Sequence, residues 1–329
     1  MPKETHDMLL FTGSAHPELA KEVGDYLGVP LGRIALNRFP DGEISLRIKE
    51  NVRGRDVFVL QTVALDPNNY LMELLIMVDS LKRASARSIC VVIPYFGYCR
   101  QDRKDKPRVP ITAKLVANLL VNAGATRLLS MDFHTEQIQG FFDIPVDNLY
   151  ARPQLAEEFK KEVGCENLVV VTPDIGSIKL ARAYASHLNV DFAIVDKHRT
   201  GPTEVEIVTL IGSVEGKHVL LADDMCSTAG TLVSAAKVCQ EKGAKRIFAA
   251  VTHGILVDHS VRAIEESPIE ALYMSNTVPY TDRLAGLTKN RFVSVANLFG
   301  KAIHCILSRE SISSLFQIES WEEPSLSHV

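Results

Sequence analysis

Short runs of apolar, largely β-branched residues alternate with segments of helical periodicity along almost the whole chain. Residues 55–62 (RDVFVLQT) form one such run and are expected to be a buried strand. Residues 70–84 then carry apolar side chains at helical spacing, and residues 88–94 (SICVVIP) return as a second strand. Strands that alternate with helices in this way are typical of parallel sheets, so the pattern predicts an α/β fold.

The second half of the chain repeats this order. It has a strand over residues 217–222, a helix over 231–242 and a returning strand over 246–252. The helix-to-strand junctions of the two halves also look alike, but any such connection has a similar pattern, so one junction alone indicates little. Taken together, the repeated elements favour two similar α/β units.

The length of 329 residues is greater than that of a typical single domain. We therefore expect two similar α/β domains, each a mostly parallel sheet flanked by helices, over residues 1–150 and 151–302. The boundary is expected near residues 150–153, without a low-complexity linker, and residues 303–318 are expected to pack back on the first domain.

Composition excludes several classes of protein. The net charge of −4 gives no support for a nucleic-acid binder or for a protein that binds anionic membranes. No apolar run approaches the ~20 residues that span a bilayer, and the amino-terminal MPKETHD lacks a signal-peptide segment. The six cysteines form no CxxC pair, so reduced thiols and a cytoplasmic location are expected.

The stretch LLADDMCSTAGT, residues 220–231, carries the first candidate chemistry. An apolar run ends at Asp223 and Asp224, and a loop of small residues leads into the next helix. One acid could be a helix cap or a loop salt bridge. However, hydroxyls and unobstructed backbone N–H groups before a helix form an anion site, which fits a sugar phosphate whose hydroxyls bind the acids. The combination is typical of phosphoribosyl chemistry.

A cationic stretch, PYFGYCRQDRKDKPRVPITAK, covers residues 94–114. Its cations could belong to a solvated surface loop. Aromatic residues on its flank and the preceding strand nevertheless favour a defined site. Such a site would fit transfer of a polyphosphate group, which requires cations that hold and stabilise negative charge.

Three further segments remain ambiguous when they are considered from their residues alone. Asp132 and His134 follow a strand-like run, where a histidine is often a capping residue, and Asp174 could cap the helix that follows it. Lys197 and Arg199 open a polar stretch that could be a plain surface turn or a mobile catalytic loop.

Another segment, residues 37–48 (NRFPDGEISLRI), predicts a β-hairpin with a turn at Pro40, Asp41 and Gly42. Phe39 lies beside this turn. The aromatic and acidic side chains there could be simple decoration of an exposed hairpin.

The chain resembles the ribose-phosphate pyrophosphokinase family, and the resemblance implies that the two α/β units are type I phosphoribosyltransferase-like (Rossmann-like) domains. The loop of residues 220–231 is similar to that of type I phosphoribosyltransferases in general, but the remaining motifs match only the pyrophosphokinases, from FTGSAHPELA at Phe11 to RESISSLF at Arg309. The resemblance implies transfer of the β,γ-diphosphoryl group of ATP to the 1-hydroxyl of ribose 5-phosphate, with AMP as the second product. The other product, 5-phosphoribosyl 1-diphosphate, serves nucleotide, histidine and tryptophan biosynthesis.

The same resemblance assigns roles to individual residues. Those implied to bind ATP are Arg100, Gln101, Asp102 and Arg108, with Phe39, Asp41 and Glu43 of a neighbouring subunit's hairpin. Those implied to bind ribose 5-phosphate are Asp223, Asp224, Ser227, Thr228, Ala229, Gly230 and Thr231. Lys197 and Arg199 are implied to be catalytic, and His134 and Asp174 to contact Mg²⁺. Inorganic phosphate is implied as an activator, and a hexamer built from dimers as the assembly.

The sequence departs from the family pattern in the sugar-phosphate loop. Ser227 occupies the position of a third acid, and Glu136 lies near the implied regulatory phosphate pocket, to which Arg53, Ser311 and Ser313 correspond. The serine leaves a catalytically silent regulatory homologue as an alternative. A phosphoribosyltransferase that consumes the diphosphate is a further alternative, but it would need neither the cationic loop nor the hairpin.

Overall fold

The structure, a computed structural model, describes residues 7–198, 207–257 and 259–316. The first sheet has five parallel strands in the order β1-β4-β5-β6-β7. Its strands are β1 (Met8–Thr12), β4 (Asp56–Leu60), β5 (Ser88–Ile93), β6 (Arg127–Met131) and β7 (Val146–Leu149). The predicted α/β class is confirmed.

A second sheet has seven strands in the order β10-β9-β8-β11-β12-β13-β14. They are β8 (Leu168–Thr172), β9 (Asp191–His198), β10 (Ile207–Ile211), β11 (His218–Cys226), β12 (Arg246–Gly254), β13 (Ile269–Ser275) and β14 (Asn290–Val293). Only the edge strand β10 runs antiparallel to its neighbour. The antiparallel edge is therefore a local addition to an otherwise parallel sheet.

The helices that connect the strands flank both sheets. They are α1 (Pro17–Leu27), α2 (Pro67–Arg83), α3 (Thr112–Ala123), α4 (Arg152–Glu162), α5 (Ile178–Leu188), α6 (Gly230–Glu241), α7 (Ser260–Glu265), α8 (Ala296–Ser308) and α9 (Ser313–Phe316). None of the helices in the described ranges combines the length and apolar character needed to cross a bilayer. All six cysteines are free thiols.

The predicted hairpin is also present, as the antiparallel pair β2 (Ile34–Arg38) and β3 (Ile44–Ile48). The amide of Phe39 donates to the carbonyl of Glu43, and Gly42 closes the turn with φ 95°. A positive φ of this size is readily adopted by glycine. The Phe39 ring beside the turn is 53% exposed.

The strands are buried almost continuously, because both faces of each sheet are covered, and successive side chains pack on opposite faces. In β5, Val91 packs among α2 and α3, whereas Val92 belongs to a cluster that continues into the second sheet. This shared core cluster also contains Phe159 of α4 and Phe299 of α8. The Phe159 ring lies edge-to-face on Phe248, with 5.4 Å between the ring centroids. One apolar core thus joins the two sheets.

The connection between β7 and α4 spans the predicted domain boundary near residues 150–153. Helix α8 packs against α1 of the first half, and a Cβ on Gly300 would clash with the Tyr26 ring at 2.2 Å. We propose division of the chain near this connection, with the bounds given above.

Candidate active site

A cleft of about 1730 Å³ is lined by residues that follow the carboxyl ends of strands in both sheets. These include His134 after β6, Asp174 after β8 and Asp224 near the carboxyl end of β11. In open α/β sheets the carboxyl ends of the strands are where ligands bind. Side chains from both halves of the chain therefore meet in one site.

The two acids lie within β11, not after it. The sequence pattern predicted a strand that ends at residue 222, and this end point is wrong, because β11 continues to Cys226. The neighbouring strand β12 is equally long, and parallel pairing continues through Asp223 with Val251 and Met225 with His253. Backbone hydrogen bonding thus extends the strand beyond its apolar run and fixes the acids on a rigid element.

Asp223 and Asp224 contact different halves of the chain. The Ser177 hydroxyl donates to Asp223 Oδ1 at 2.6 Å, within the second half. Asp224 Oδ2 instead accepts a 2.7 Å hydrogen bond from His134 Nδ1 in the first half. Neighbouring carboxylates on an extended strand point in opposite directions, which explains the division.

These contacts give the two carboxyl groups opposite protonation preferences. Burial, together with the charge of Asp224, raises the pKa of Asp223 to about 8. Burial also acts to raise the pKa of Asp224, but the hydrogen bond from His134 and the nearby charges of His134 and His253 together lower that pKa below its ordinary value. The same hydrogen bond raises the pKa of His134. At neutral pH the site therefore contains an ionised Asp224, which accepts a hydrogen bond from His134, beside a protonated Asp223.

This difference predicts a pH-dependent stability effect. Asp223→Asn keeps the hydrogen bonds but cannot ionise, whereas wild-type Asp223 has a folded pKa above its unfolded value. Wild-type stability relative to the variant should therefore fall as the pH rises from about 4 to about 8. We expect equal melting temperatures near pH 4 and a variant that melts roughly 5 °C higher at pH 8.

Differential scanning calorimetry across this pH range measures the effect. Asp25→Asn is the matched control, because Asp25 is an exposed carboxylate paired with Lys21. A difference between wild type and Asp223→Asn that stays constant from pH 4 to pH 8 would show that Asp223 is ionised throughout.

The loop after β11 forms part of the cleft wall. All five loop residues predicted to bind the sugar phosphate line it: Ser227, Thr228, Ala229, Gly230 and Thr231. Helix α6 begins here without a side-chain cap, and Ala229 adopts a left-handed conformation with φ 64°. Because no side chain caps the first turn, its N–H groups remain available to an anion.

Part of the cationic stretch lines the same cleft. Arg100, Gln101 and Asp102 contribute to its wall, but the exposed Arg108 does not. Thr135 donates to Asp102 at 2.8 Å, and thus ties this loop to the segment that carries His134. The start of the loop is therefore attached to the site, whereas residues 103–108 are exposed.

Asp174 lies in the cleft and also caps a helix. Its carboxylate accepts a 3.1 Å hydrogen bond from the Ser177 amide at the start of the 3-10 helix Ile175–Ser177. The capping interpretation left open by the sequence is thus present. The second carboxylate oxygen can still serve a ligand.

Asp132 has a structural environment that the sequence did not indicate. It is 6% exposed and accepts hydrogen bonds from the Ala151 amide and, at 2.6 Å, from the Thr252 hydroxyl. The His253 ring contacts the Asp132 carbonyl at 3.1 Å and packs edge-to-face on Tyr95. These contacts join the two halves directly beneath His134.

Several predicted site residues lie outside the cleft or outside the described residues. Phe39, Asp41 and Glu43 are exposed on the hairpin and do not line the cleft. Lys197 lies in β9, where its backbone pairs with Val208 of β10. Arg199 lies outside the described residues.

Other residues line the cleft without having been predicted there. They include Tyr150, Arg152 and Lys179. Lys179 follows Asp174 by five residues on α5, and this position after a strand-end acid is the signal that could have identified it. Ser177 is 46 residues from its partner Asp223, a pairing that spacing alone does not indicate.

Donor atoms for a hard cation are available in the cleft, but they are not assembled into a cluster. Among the described residues, no three His, Cys, Asp or Glu side chains form a group that could hold a metal. Asp174, Asp223 and Asp224 nevertheless place carboxylates in one cleft, and their mutual repulsion contributes to the raised pKa of Asp223. The site therefore fits a cation such as Mg²⁺ that keeps waters and binds substrate oxygens.

Two parallel sheets, a pair of strand-end acids and an uncapped helix N-terminus define the class of α/β phosphoribosyl enzymes. Residues 8–124 match the model for the N-terminal domain of ribose phosphate pyrophosphokinase. Residues 199–317 match the phosphoribosyl synthetase-associated domain.

Relatives of known identity match along nearly the whole chain. The ribose-phosphate pyrophosphokinase of Wolinella succinogenes is 49% identical, over 93% of this chain and 98% of its own. That of Thermosipho africanus is also 49% identical, over 95% of this chain and 98% of its own. The crystal structure of phosphoribosylpyrophosphate synthetase from Mycobacterium smegmatis superposes with a TM-score of 0.88 at 39% identity, over 92% of this chain and 99% of that one.

The chain therefore belongs to the ribose-phosphate pyrophosphokinase family. The predicted resemblance, fold class and enzyme class are confirmed. Its activity is that of a ribose-phosphate diphosphokinase, a transferase.

Proposed function

We propose that this cleft binds ATP and ribose 5-phosphate together and transfers the diphosphoryl group between them. The 1-hydroxyl oxygen of the sugar forms a bond to the β-phosphorus, and the bond from that phosphorus to the oxygen of the α-phosphate breaks. AMP leaves with this oxygen, and the hydroxyl proton is released to water. The product is 5-phosphoribosyl 1-diphosphate.

The observation that carries this proposal is the 2.7 Å hydrogen bond between His134 and Asp224. It joins the segment predicted to contact Mg²⁺ to the strand predicted to hold the sugar, although the two residues are 90 positions apart. A transfer between two substrates requires their reacting atoms to be held close together. A site that spans both halves of the chain meets this requirement.

In this proposal one molecule of ribose 5-phosphate contacts two parts of the site. Its ribose hydroxyls bind Asp223 and Asp224, and its 5-phosphate binds the N–H groups of residues 227–231, where the N-terminus of α6 favours an anion. Ser227 helps to shape the loop and adds a hydroxyl beside the phosphate. It removes one negative charge relative to an acid at that position, which is compatible with phosphate binding.

The triphosphate of ATP is proposed to lie along Arg100, Gln101 and Asp102, with Arg108 nearby. Lys197 and Arg199 are proposed to stabilise charge on the transferring group. His134 and Asp174 would hold Mg²⁺ together with phosphate oxygens and water, and the ion would neutralise phosphate charge when bound. His134 Nδ1 is engaged by Asp224, so Nε2 is the nitrogen available for this contact.

The hairpin is proposed to complete the adenine site of a neighbouring subunit through Phe39, Asp41 and Glu43. Their exposure on one chain and absence from its own cleft support this arrangement, which requires a homo-oligomer, proposed as a hexamer built from dimers. Inorganic phosphate is proposed as an activator. The cytoplasm is proposed as the compartment, because all six cysteines are free thiols.

Formation of AMP from MgATP, with and without ribose 5-phosphate and across phosphate concentrations, tests the function. We expect AMP that depends on the sugar. Absence of AMP at every phosphate level, from folded and assembled protein, would favour the silent regulatory homologue. Consumption of the diphosphate in the presence of a base would favour a phosphoribosyltransferase.

A further inference from the structure

The Arg283 guanidinium binds the backbone behind the sugar-phosphate loop. Its Nη1 donates to the carbonyls of Ile255 at 2.5 Å and Leu256 at 2.8 Å, and its Nη2 donates to the carbonyl of Pro279 at 3.2 Å. Arg283 lies in the 3-10 helix Asp282–Leu284 and is partly buried. One cation thus holds three backbone carbonyls on two separate segments.

The segment held by Arg283 is bonded in turn to the loop. The amide of Leu256 donates to the Cys226 carbonyl, and the amide of Val257 donates to the Ser227 carbonyl, each at 3.0 Å. Leu256 itself adopts a left-handed conformation with φ 45°. A branched side chain rarely adopts this conformation unless its surroundings impose it. The hydrogen bonds from Arg283 on either side of this peptide supply that constraint.

We propose that Arg283 is a positioning residue for the sugar-phosphate loop, acting through residues 255–257 to hold the backbone that binds the 5-phosphate. It does not line the cleft, so it acts without touching the substrate. The proposal rests on the proposed function, since it assigns the loop to ribose 5-phosphate. The effect is expected for ribose 5-phosphate alone, because the backbone carbonyls that Arg283 binds all lie in the second half of the chain.

The chemistry favours an arginine for this task. A planar guanidinium can donate to several carbonyls in fixed directions, whereas a lysine ammonium on a flexible stem cannot reproduce this fork. Burial lowers the pKa of Arg283, yet an arginine remains protonated at physiological pH. Arg283 is therefore charged at physiological pH, and its replacement even by lysine should disturb the backbone that it holds.

The test compares Arg283→Met, Arg283→Lys and a matched control, Arg262→Ala. Arg262 is a surface arginine of the same half, paired with Glu266 on α7, and does not contact the loop. Loss of charged hydrogen bonds predicts about a tenfold rise in KM for ribose 5-phosphate in both Arg283 variants. KM for ATP should stay within about twofold, and the control should match wild type. Millimolar guanidinium should partly restore the sugar KM of Arg283→Met.

Calorimetric titration with ribose 5-phosphate separates this proposal from the proposed function. Weaker sugar binding in the Arg283 variants supports Arg283 as a positioning residue, even if wild type forms no AMP. Absence of AMP would overturn only the proposed function. An unchanged sugar affinity with a lowered melting temperature would make Arg283 purely structural and overturn the proposal. Should Arg283→Met not fold, Arg283→Lys decides by the same titration, and a wild type that binds no ribose 5-phosphate overturns both.

Discussion

Asp224→Ala is expected to lower kcat/KM for ribose 5-phosphate by roughly 10³-fold, because it removes a partly buried carboxylate and leaves His134 without its partner. Ser227→Ala is expected to lower the same quantity by less than about tenfold, because the backbone N–H groups of the loop remain. The pair distinguishes a direct sugar contact from a residue that only shapes the loop. Steady-state kinetics with varied ribose 5-phosphate measure both effects.

A control for charge removal is Asp79→Ala, since Asp79 is a half-exposed carboxylate paired with Arg83 on α2. This variant should retain wild-type kinetics. Loss of turnover in Ser227→Ala combined with near-normal turnover in Asp224→Ala would reverse the assignment. In that case the departure from the usual acid at position 227 would itself be the determinant of sugar binding.

Lys197→Ala is expected to lower kcat by roughly 10³-fold while KM for ATP changes by less than about threefold. A cation that acts on the transferring phosphoryl group stabilises charge that is greatest in the transition state, so its loss affects turnover more than binding. The backbone of Lys197 lies in β9, beside the strand that leads to Asp174. Initial rates at saturating sugar, with varied MgATP, give both parameters.

Lys21→Ala is the matched control, because Lys21 is an exposed lysine paired with Asp25 on α1. Unchanged turnover with a raised KM for ATP in Lys197→Ala would show that this lysine only binds the nucleotide. Equal losses of kcat in Lys197→Ala and in Lys21→Ala would instead indicate a general effect of charge removal.

Much of the fold could be predicted because local patterns dictate it. The apolar run at residues 88–94 and the helical spacing at 70–84 correspond to β5 and α2 within a few residues. The end of β11 could not be predicted, because pairing with β12 extends it through two charged residues. Strand length there depends on a partner about 30 residues away, which a local pattern does not contain.

The site was predictable where one motif supplied several neighbouring groups. The loop of residues 227–231 and the acids at 223 and 224 lie together in the cleft, as their spacing indicated. Long-range contacts were not predictable in the same way. The hydrogen bonds from Ser177 to Asp223 and from Arg283 to Leu256 join residues with no sequence motif in common. Their pairing is set by which strands and turns the fold brings together.

The apolar cluster that joins the two sheets determines how the molecule responds to destabilising substitutions. Duplicated units that are merely tethered can lose one copy and keep the other folded. Here the residues packed around Phe159 and Phe299 belong to both halves, so the two sheets should melt as a single cooperative unit. A destabilising substitution in either half should therefore disturb the cleft residues of both halves. Because the cleft lies between the two halves, a change that loosens the packing of one half is expected to loosen that of the other as well.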